Sequence, residues 1–468
     1  MSQKAIAIYG PPGTGKTRRL MDIMAKLKDE RRIPSHEIGF FAFTRAAADE
    51  AKRRLNVTSS KTMRTLHSLA YEAAQVSKVQ VVDTLKLRQF GDFIGIPMNG
   101  KSAVGFENVE EGDEYMSVHN FAVARQIPVA QAFDQMPGLA LNRTVAEMVS
   151  KSYTEWKRRF GWVDFNDMIL RYLADPINVG AKYLFLDEAQ DLSPLQWAMV
   201  AGLAEHAECI WLAGDDDQAI YEWSGADPHG MAKYHYEGNQ RILDQSYRVP
   251  QLVHAIANRV ISRVGQRVEK RYKPREERGT VRRYGDLDPV ALPKGDTLML
   301  YRNHTSRRDI EAWLMEHAIP YTAAGPFPSH FQGKWANATR AWFRLRRGEH
   351  LNDAALQLIA RIAPGVAANI SRGDFRFAKD APSRHFHGVP EDVASYLGRV
   401  DLNLPPTTRI STIHASKGAE ADRVILMNAM GERTYEEMND SEHRVWYVAV
   451  TRARHQLDIV DGANAYDL

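Results

Sequence analysis

The sequence predicts an α/β protein made of two parallel-sheet domains, each interrupted by a helical insertion, and three observations carry that expectation. Short apolar runs at residues 5–9, 38–43, 183–186 and 209–213 alternate with charged amphipathic stretches, as buried strands alternate with the helices that cover them. A second series of such runs lies at 298–301, 409–412, 423–427 and 457–460. Each run of the first series ends where a polar or glycine-containing motif begins. Ligands of open parallel sheets bind beyond the carboxyl ends of the strands, so motifs far apart in sequence can converge there.

The pattern between the second and third runs, 71–159, is mostly helical and reads as an inserted subdomain. Proline and glycine punctuation from Pro326 to Pro406 marks a second insertion in the later series. The 468 residues give a prior of about three domains. Hydrophobic residues at 44% and charged residues at 25% fit a globular protein and exclude wholesale disorder. No apolar run reaches the ~18 residues of a membrane span, and residues 1–9 lack a signal peptide's apolar stretch. A cytoplasmic protein without a membrane partner is expected. The single cysteine, Cys209, excludes an internal disulfide framework and thiolate-rich metal sites, and reads as a small hydrophobe in a buried strand.

Lysine plus arginine less aspartate plus glutamate is 61 − 58 = +3, too little to imply a polyanionic partner. Locally, 263–283 holds nine basic residues against three acidic, and 340–347 holds four arginines interleaved with Trp342 and Phe343. Such stretches either track a nucleic-acid backbone or form a solvated face. Lone histidines such as His254 and His317 read as surface or satisfied helix positions, and Trp313 and Trp342 as core.

Gly10-Pro-Pro-Gly13-Thr14-Gly15-Lys16-Thr17 follows the first run and opens a helical one, the context a phosphate-binding P-loop requires. Backbone N–H groups of the glycine turn and the helix N-terminus would cradle phosphates. Lys16 would reach the β and γ phosphates, and Thr17 would ligate Mg²⁺. The third run ends in Asp187-Glu188, with Asp187 suited to the metal shell and Glu188 to general-base activation of water. The fourth run leads through an acidic turn to Gln218, Tyr221 and Trp223, a γ-phosphate sensor beside two rings able to stack on bases.

These stretches resemble the superfamily 1 DNA helicases of the UvrD/Rep/PcrA type, and further signatures follow in that family's order from Gly10 to Arg454. The resemblance implies two RecA-like P-loop motor domains with helical insertions: 1A at 1–70 and 160–245, 1B at 71–159, 2A at 246–325 and 406–468, and a reduced 2B-like insertion at 326–405. It implies single-strand contacts for Phe43 and Thr44, for Thr65 and His67 in Thr65-Leu-His-Ser-Leu-Ala, for Tyr221 and Trp223, and for His414. Asp164-Phe165-Asn-Asp-Met is similar to the acidic-aromatic element that precedes the Asp187 motif. In Gln245-Ser-Tyr247-Arg248, by resemblance, Tyr247 stacks on adenine opposite Arg18, and Arg248 touches the γ-phosphate. Thr412-Ile-His414-Ala-Ser-Lys-Gly-Ala-Glu420 assigns ribose to Glu420, and Thr451-Arg452-Ala-Arg makes Arg452 the arginine finger.

The implied activity is that of an ATP-dependent DNA helicase or translocase. It moves on single-stranded DNA, 3′ to 5′, closing and opening a nucleotide cleft between its motor domains as Mg-ATP is hydrolysed. The alternatives are a translocase that displaces proteins with weak unwinding, and a DNA-binding scaffold with a vestigial ATPase. Expected partners are single strands, single/double-strand junctions and an accessory replication or repair protein. The chain is expected to act as a monomer, on the nucleoid or in an infected host's cytoplasm. It departs from the family pattern in having only residues 1–4 ahead of the first strand where a glutamine-bearing motif is usual. Ala419 and Ala421 replace larger residues, and the second insertion is only roughly eighty residues long. Unwinding is therefore expected to need help from a partner.

Overall fold

A computed structural model of the chain describes residues 4–42, 45–57, 61–100, 110–136, 141–234, 240–324 and 329–468. It divides into two compact units. The first runs to Arg278 and adds Glu436–Thr451 and Leu468, and the second comprises Gly279–Tyr435 and Arg452–Asp467.

The first unit is built on strands β1 (Lys4–Tyr9), β2 (Ile38–Ala42), β3 (Met63–Thr65), β4 (Tyr183–Leu186), β5 (Cys209–Gly214) and β6 (Gln240–Ile242), in the order β3-β2-β4-β5-β1-β6. Every pairing is parallel. Side chains alternate between faces along a strand, so both faces need cover. Ala5, Ala7, Tyr9, Phe41, Leu184 and Leu212 pack on the helices Leu66–Ala74, Phe165–Ala174 and Pro194–Ala204, while Ile8, Phe40, Ala42 and Phe185 pack on Lys16–Asp29 and Arg45–Leu55. β5 separates β1 from β4, which sets the ends of those two strands about 10 Å apart. Helix starts are capped locally: Ser193 and Gln196 form a reciprocal capping box with Pro194 in the first turn, satisfying N–H groups that a helix start leaves open.

Between β3 and β4, helices Thr84–Ile94, Glu111–Arg125 and Arg143–Phe160 enclose their own core around Phe90, Tyr115, Phe121, Tyr153 and Trp156. Beside that core lies a buried polar group. Lys157 Nζ bonds Asp164 (2.5 Å) and Asp167 (2.6 Å), and His119 Nδ1 lies 2.7 Å from Ser150 Oγ.

The second unit holds β7 (Thr280–Tyr284), β8 (Thr297–Tyr301), β9 (Tyr321–Ala323), β10 (Thr408–Thr412), β11 (Ala421–Asn428) and β12 (Ala453–Asp461), ordered β7-β12-β11-β8-β10-β9 and again wholly parallel. Its main core joins Met299, Tyr301, Ile410 and Ile425 to Trp313, Tyr396 and Leu397. A satellite core around Trp342, Ile359, Ile362 and Phe377 serves the helical stretch between β9 and β10. The fold is thus α/β with two parallel sheets, as the sequence predicts. The four strands without a counterpart among the apolar runs, β3, β6, β7 and β9, are the edges of the two sheets. Among the described residues no helix is long and apolar enough to cross a membrane.

Burial, reinforced by the charge of Lys157, pushes the His119 imidazole down to about 4. The unfolded chain therefore binds a proton between about pH 6.5 and 4 that the folded chain does not, and stability falls with acidification across that window. A shift of this size corresponds to about 3 kcal/mol. Urea unfolding at a series of pH values should show His119→Gln losing less stability than wild type between pH 7 and 4, by about that amount.

Candidate nucleotide site and strand-contact face

β1 ends at Tyr9, and Gly10 N–H donates to Gly214 O at the end of β5 (3.0 Å). The following turn closes through Thr14, whose N–H and Oγ1 both donate to Pro11 O (3.2 and 2.8 Å). Gly13 has φ 73° and Gly15, the cap of helix Lys16–Asp29, φ 80°, a region that favours glycine. Gly13 is constrained twice over, since a Cβ there would lie 2.3 Å from Arg248 Cβ. That crowding arises because residues 246–248 are laid on the loop: Ser246 Oγ donates to Pro12 O (2.7 Å) and Tyr247 N–H to Gly13 O (2.9 Å). Tyr247 is thereby held beside the phosphate loop with 74% of its surface exposed. Arg18 is exposed on the first turn of the helix, and Lys16 Nζ arches back to Gly10 O (2.9 Å).

Thr17 Oγ1 donates to Asp187 Oδ2 at 2.5 Å, joining residues 170 positions apart. Asp187 is buried at the end of β4; burial first, then the neighbouring Glu188 carboxylate, raises its carboxyl to about 6 against the pull of Thr17 and Lys16. Glu188 sits in the left-handed region, φ 55° and ψ 41°, a conformation costing about 1–3 kcal/mol and concentrated at functional sites. Gln190 fixes it: Nε2 donates to Glu188 Oε2 (2.6 Å) while Oε1 accepts from Asp215 N–H (2.9 Å). Gly214 leaves the room for this, because a Cβ there would lie 2.6 Å from Gln190 Oε1.

Past β5, Asp215, Asp216 and Asp217 are all buried, and Gln218 Nε2 donates to Asp215 Oδ2 (2.7 Å). The three carboxylates cluster closely enough to hold a cation, and Lys270 supplies one. Its fully buried ammonium lies 3.3 Å from Asp215 and 3.1 Å from Asp217 and also bonds Asp216. Arg267 grips Asp217 with two nitrogens, and Val268 N–H donates to Asp216 Oδ2 (2.7 Å). Burial raises the Asp215 carboxyl to about 6 even against Lys270.

The turn continues into Tyr221 and Trp223, partly exposed rings 6.4 Å apart at 63°. Glu222 between them accepts from Arg444 Nη1 (2.6 Å), and Arg444, itself buried, also donates to Gln266 O (2.8 Å). Thr65 caps helix Leu66–Ala74 through its own Oγ1. His67 meets the exposed Phe165 edge-on at 5.7 Å, and burial lowers its pKa. Phe43 and Thr44 lie outside the described residues. In the second unit, Arg452 is buried and donates to Ala419 O (3.2 Å), and Glu420 pairs with Arg454 (3.4 Å). His414 follows β10 in a short turn, and burial, then Arg302 and Lys417, push its imidazole down to about 3. The first unit thus gathers Gly10, Gly13, Thr14, Gly15, Lys16, Thr17, Arg18, Asp187, Glu188, Gln218, Tyr247 and Arg248 around one loop, and the second brings Arg452 to the loop that carries Glu420.

Residues 1–237 match the family model for the UvrD/REP helicase N-terminal domain, and 407–460 that for the UvrD-like helicase C-terminal domain. The chain belongs to the UvrD/REP helicase family. It is similar to the ATP-dependent DNA helicase PcrA of Staphylococcus aureus (strain Mu50 / ATCC 700699), 24% identical over 368 residues, covering 68% of this chain and 49% of that protein. PcrA of Leuconostoc citreum is 25% identical over 371 residues, covering 68% and 48%. This UvrD/REP family member spans about half the length of the curated relatives it matches. Among solved structures, the arterivirus nonstructural protein 10 helicase in complex with DNA aligns with 98% of this chain and 61% of its own at 12% identity. Its TM-score is 0.35, too weak a likeness to carry an argument.

Sequence reasoning missed Ser246, Lys270, Arg267, the Arg444–Glu222 pair and the bridging role of Gln190. Only Lys270 and Arg267 carried a signal, as members of the 263–283 basic run, and nothing in that run marks them as the two that are buried.

Removing one partner of a buried ion pair costs about 3–5 kcal/mol. Lys270→Met should lose stability of that order in urea unfolding at pH 7.5. The loss should shrink as pH falls toward about 6, because without Lys270 the buried Asp215 carboxyl is raised further and takes up its proton above the wild-type value.

Proposed function

We propose that this chain is an ATP-dependent motor on single-stranded DNA that couples Mg-ATP hydrolysis to 3′-to-5′ movement and to separation of duplex at a single/double-strand junction. The observation that carries this reading is the 2.5 Å contact between Thr17 Oγ1 and Asp187 Oδ2, with Glu188 one residue on and locked in place by Gln190. Thr17 and Asp187 offer the hydroxyl and carboxylate oxygens that Mg²⁺ takes, and the bound ion would neutralise phosphate charge.

Lys16 exchanges its bond to Gly10 O for the β and γ phosphates, while N–H groups of the Gly10–Thr17 loop bind the remaining oxygens. Glu188 takes the proton of the attacking water. Gln218 and Arg248 read the γ-phosphate, and Arg452 of the second unit stabilises transition-state charge, a role worth about 10³–10⁵ in rate in other P-loop enzymes. Tyr247 and Arg18 hold adenine and Glu420 the ribose. Thr65, His67, Tyr221, Trp223 and His414, with Phe43 and Thr44, contact the strand, and stacking on rings makes the grip indifferent to sequence. We assign 1–70 and 160–245 to motor domain 1A, 71–159 to 1B, 246–325 and 406–468 to 2A, and 326–405 to a reduced 2B. The expected company is an accessory replication or repair protein.

Steady-state ATP turnover with and without single-stranded DNA tests the reading. Strong stimulation is expected, and Glu188→Gln should lower kcat by about 10²–10⁴ while nucleotide binding persists. Stimulated turnover without unwinding of a forked duplex would leave a protein-displacing translocase. DNA binding without stimulation would sink the motor and leave a binding scaffold.

A further inference from the structure

Many of the cations that stand out in the sequence are held by partners within the chain. In the 340–347 run, Arg340 donates to the carbonyls of Leu402 and Phe331, Arg346 to that of Ala378, and Arg344 and Arg347 pair with Glu349. In the 263–283 run, Arg267 and Lys270 hold the acidic turn, and Arg275 and Arg283 pair with Glu277 and Asp461. Arg271, Lys273, Arg278 and Arg282 of the 263–283 run are exposed.

A further pair of exposed cations, Arg158 and Arg159, lies beside an open ring. Helix Arg143–Phe160 ends in Arg158, Arg159 and Phe160, and Gly161, with φ 69°, turns the chain so that Trp162 folds back on Phe160. The two rings stack, centroids 4.9 Å apart and planes 21° apart, and Trp162 rests edge-on against buried Trp156 at 4.2 Å. Phe160 is 50% exposed. The Arg159 guanidinium lies 5.8 Å from the Phe160 centroid, and Lys86 Nζ lies 5.7 Å from that of Trp162. Residues 78–82 run alongside Val163, whose N–H donates to Gln80 O (2.9 Å). Lys78, Arg158 and Arg159 make no ion pair among the described residues; of the acids nearby, Asp83 faces Lys86 at 3.6 Å and Glu155 lies one turn back on the helix.

The helix dipole accounts for cations in a last turn but not for a large ring left half in water above a rigid aromatic base, where full burial would be worth about 1.5–3 kcal/mol. A half-open ring with a fixed back and flanking cations suits an unpaired base and its phosphates. Phe160 is five residues from Phe165, the ring against His67, a reach of at most about 18 Å. A strand held at His67 therefore needs only a few more nucleotides to arrive there.

We propose that Phe160, backed by Trp162 and flanked by Arg158 and Arg159, is a second single-strand site that stacks a base beyond the motif-lined path. The proposal rests on the single-strand motor reading. The test is fluorescence anisotropy with labelled oligothymidylates of about 8 and about 24 nucleotides, chosen against the ~4–16 nucleotides that one groove covers. Phe160→Ala should weaken the longer ligand about 5- to 150-fold, the worth of one stacked base, and leave the shorter unchanged. Arg158→Glu combined with Arg159→Glu, which leaves the ring stack in place, should do the same and reduce the slope of log K against log salt by about 1.4, at ~0.7 per phosphate contact on a single strand. Comparing variants at each length cancels the statistical advantage of a longer lattice. Equal losses at both lengths, no loss at either, or a loss seen only with forked duplex would each overturn the site. Failure of the wild type to bind the shorter oligonucleotide would instead overturn the underlying motor reading.

Discussion

The ammonium of Lys270, buried among the carboxylates of Asp215, Asp216 and Asp217, is the interaction on which the arrangement of the first unit's site depends. Two strands end side by side in acids, β4 in Asp187 and Glu188 and β5 in the aspartate turn. At 4 Å each like-charge pair costs about 4 kcal/mol for an effective dielectric near 20. Lys16 offsets part of that from the P-loop. The larger part comes from residues 264–278, which bring Lys270 and Arg267 onto the turn. The same segment holds the helix Asp440–Val450, through Asp440 bonds to the N–H groups of Gly265 and Gln266 and through Arg444 on Gln266 O. Acidic turn, ring-bearing loop and helix are therefore one hydrogen-bonded body, and the positions of Gln218, Tyr221 and Trp223 are set together.

This explains which parts of the site were legible in the sequence. Gly13, Lys16, Thr17, Asp187 and Glu188 stand in contiguous motifs because the chemistry proposed for them fixes local spacing: a loop that cradles phosphates and a strand that ends in a carboxylate are each local in sequence. Lys270 and Glu222 answer to partners 54 and 222 positions away, and no periodicity encodes a partner at such a distance. Ser246 hides for the same reason, its hydroxyl being specified by the carbonyl of Pro12. The strands divide similarly. The central ones are buried on both faces and read as apolar runs, whereas β3 (MRT), β6 (QRI), β7 (TVRRY) and β9 (YTA) are short or polar, as edges can be when only one side is paired.

Charge was legible as a count and illegible as a surface. Nine basic residues in one run look like a polyanion track, yet Arg267, Lys270, Arg275 and Arg283 are held by carboxylates. Arg340 and Arg346 of the 340–347 run serve as staples for carbonyls that loops would otherwise leave open, which planar, many-donor guanidinium groups do well. Arg158 and Arg159 drew no notice because a helix end is an ordinary place for cations. Their setting differs only through the rings beside them, brought together by a glycine reversal that only a structure displays.

Gln190 shows how little polar hardware joins the chemical elements. One amide accepts from the backbone of Asp215 and donates to Glu188, while Asp215 in turn holds Gln218. The proposed base and the proposed phosphate sensor are thus linked through two side chains, across a gap that Gly214 keeps free. A displacement of the acidic turn cannot leave Glu188 untouched, because the left-handed backbone of Glu188 gives it a conformational cost to relax once the amide lets go. Strain at the proposed base and hydrogen bonding at the proposed sensor are two ends of one chain of contacts, so a force on Tyr221 and Trp223 of the same turn reaches Glu188 as well.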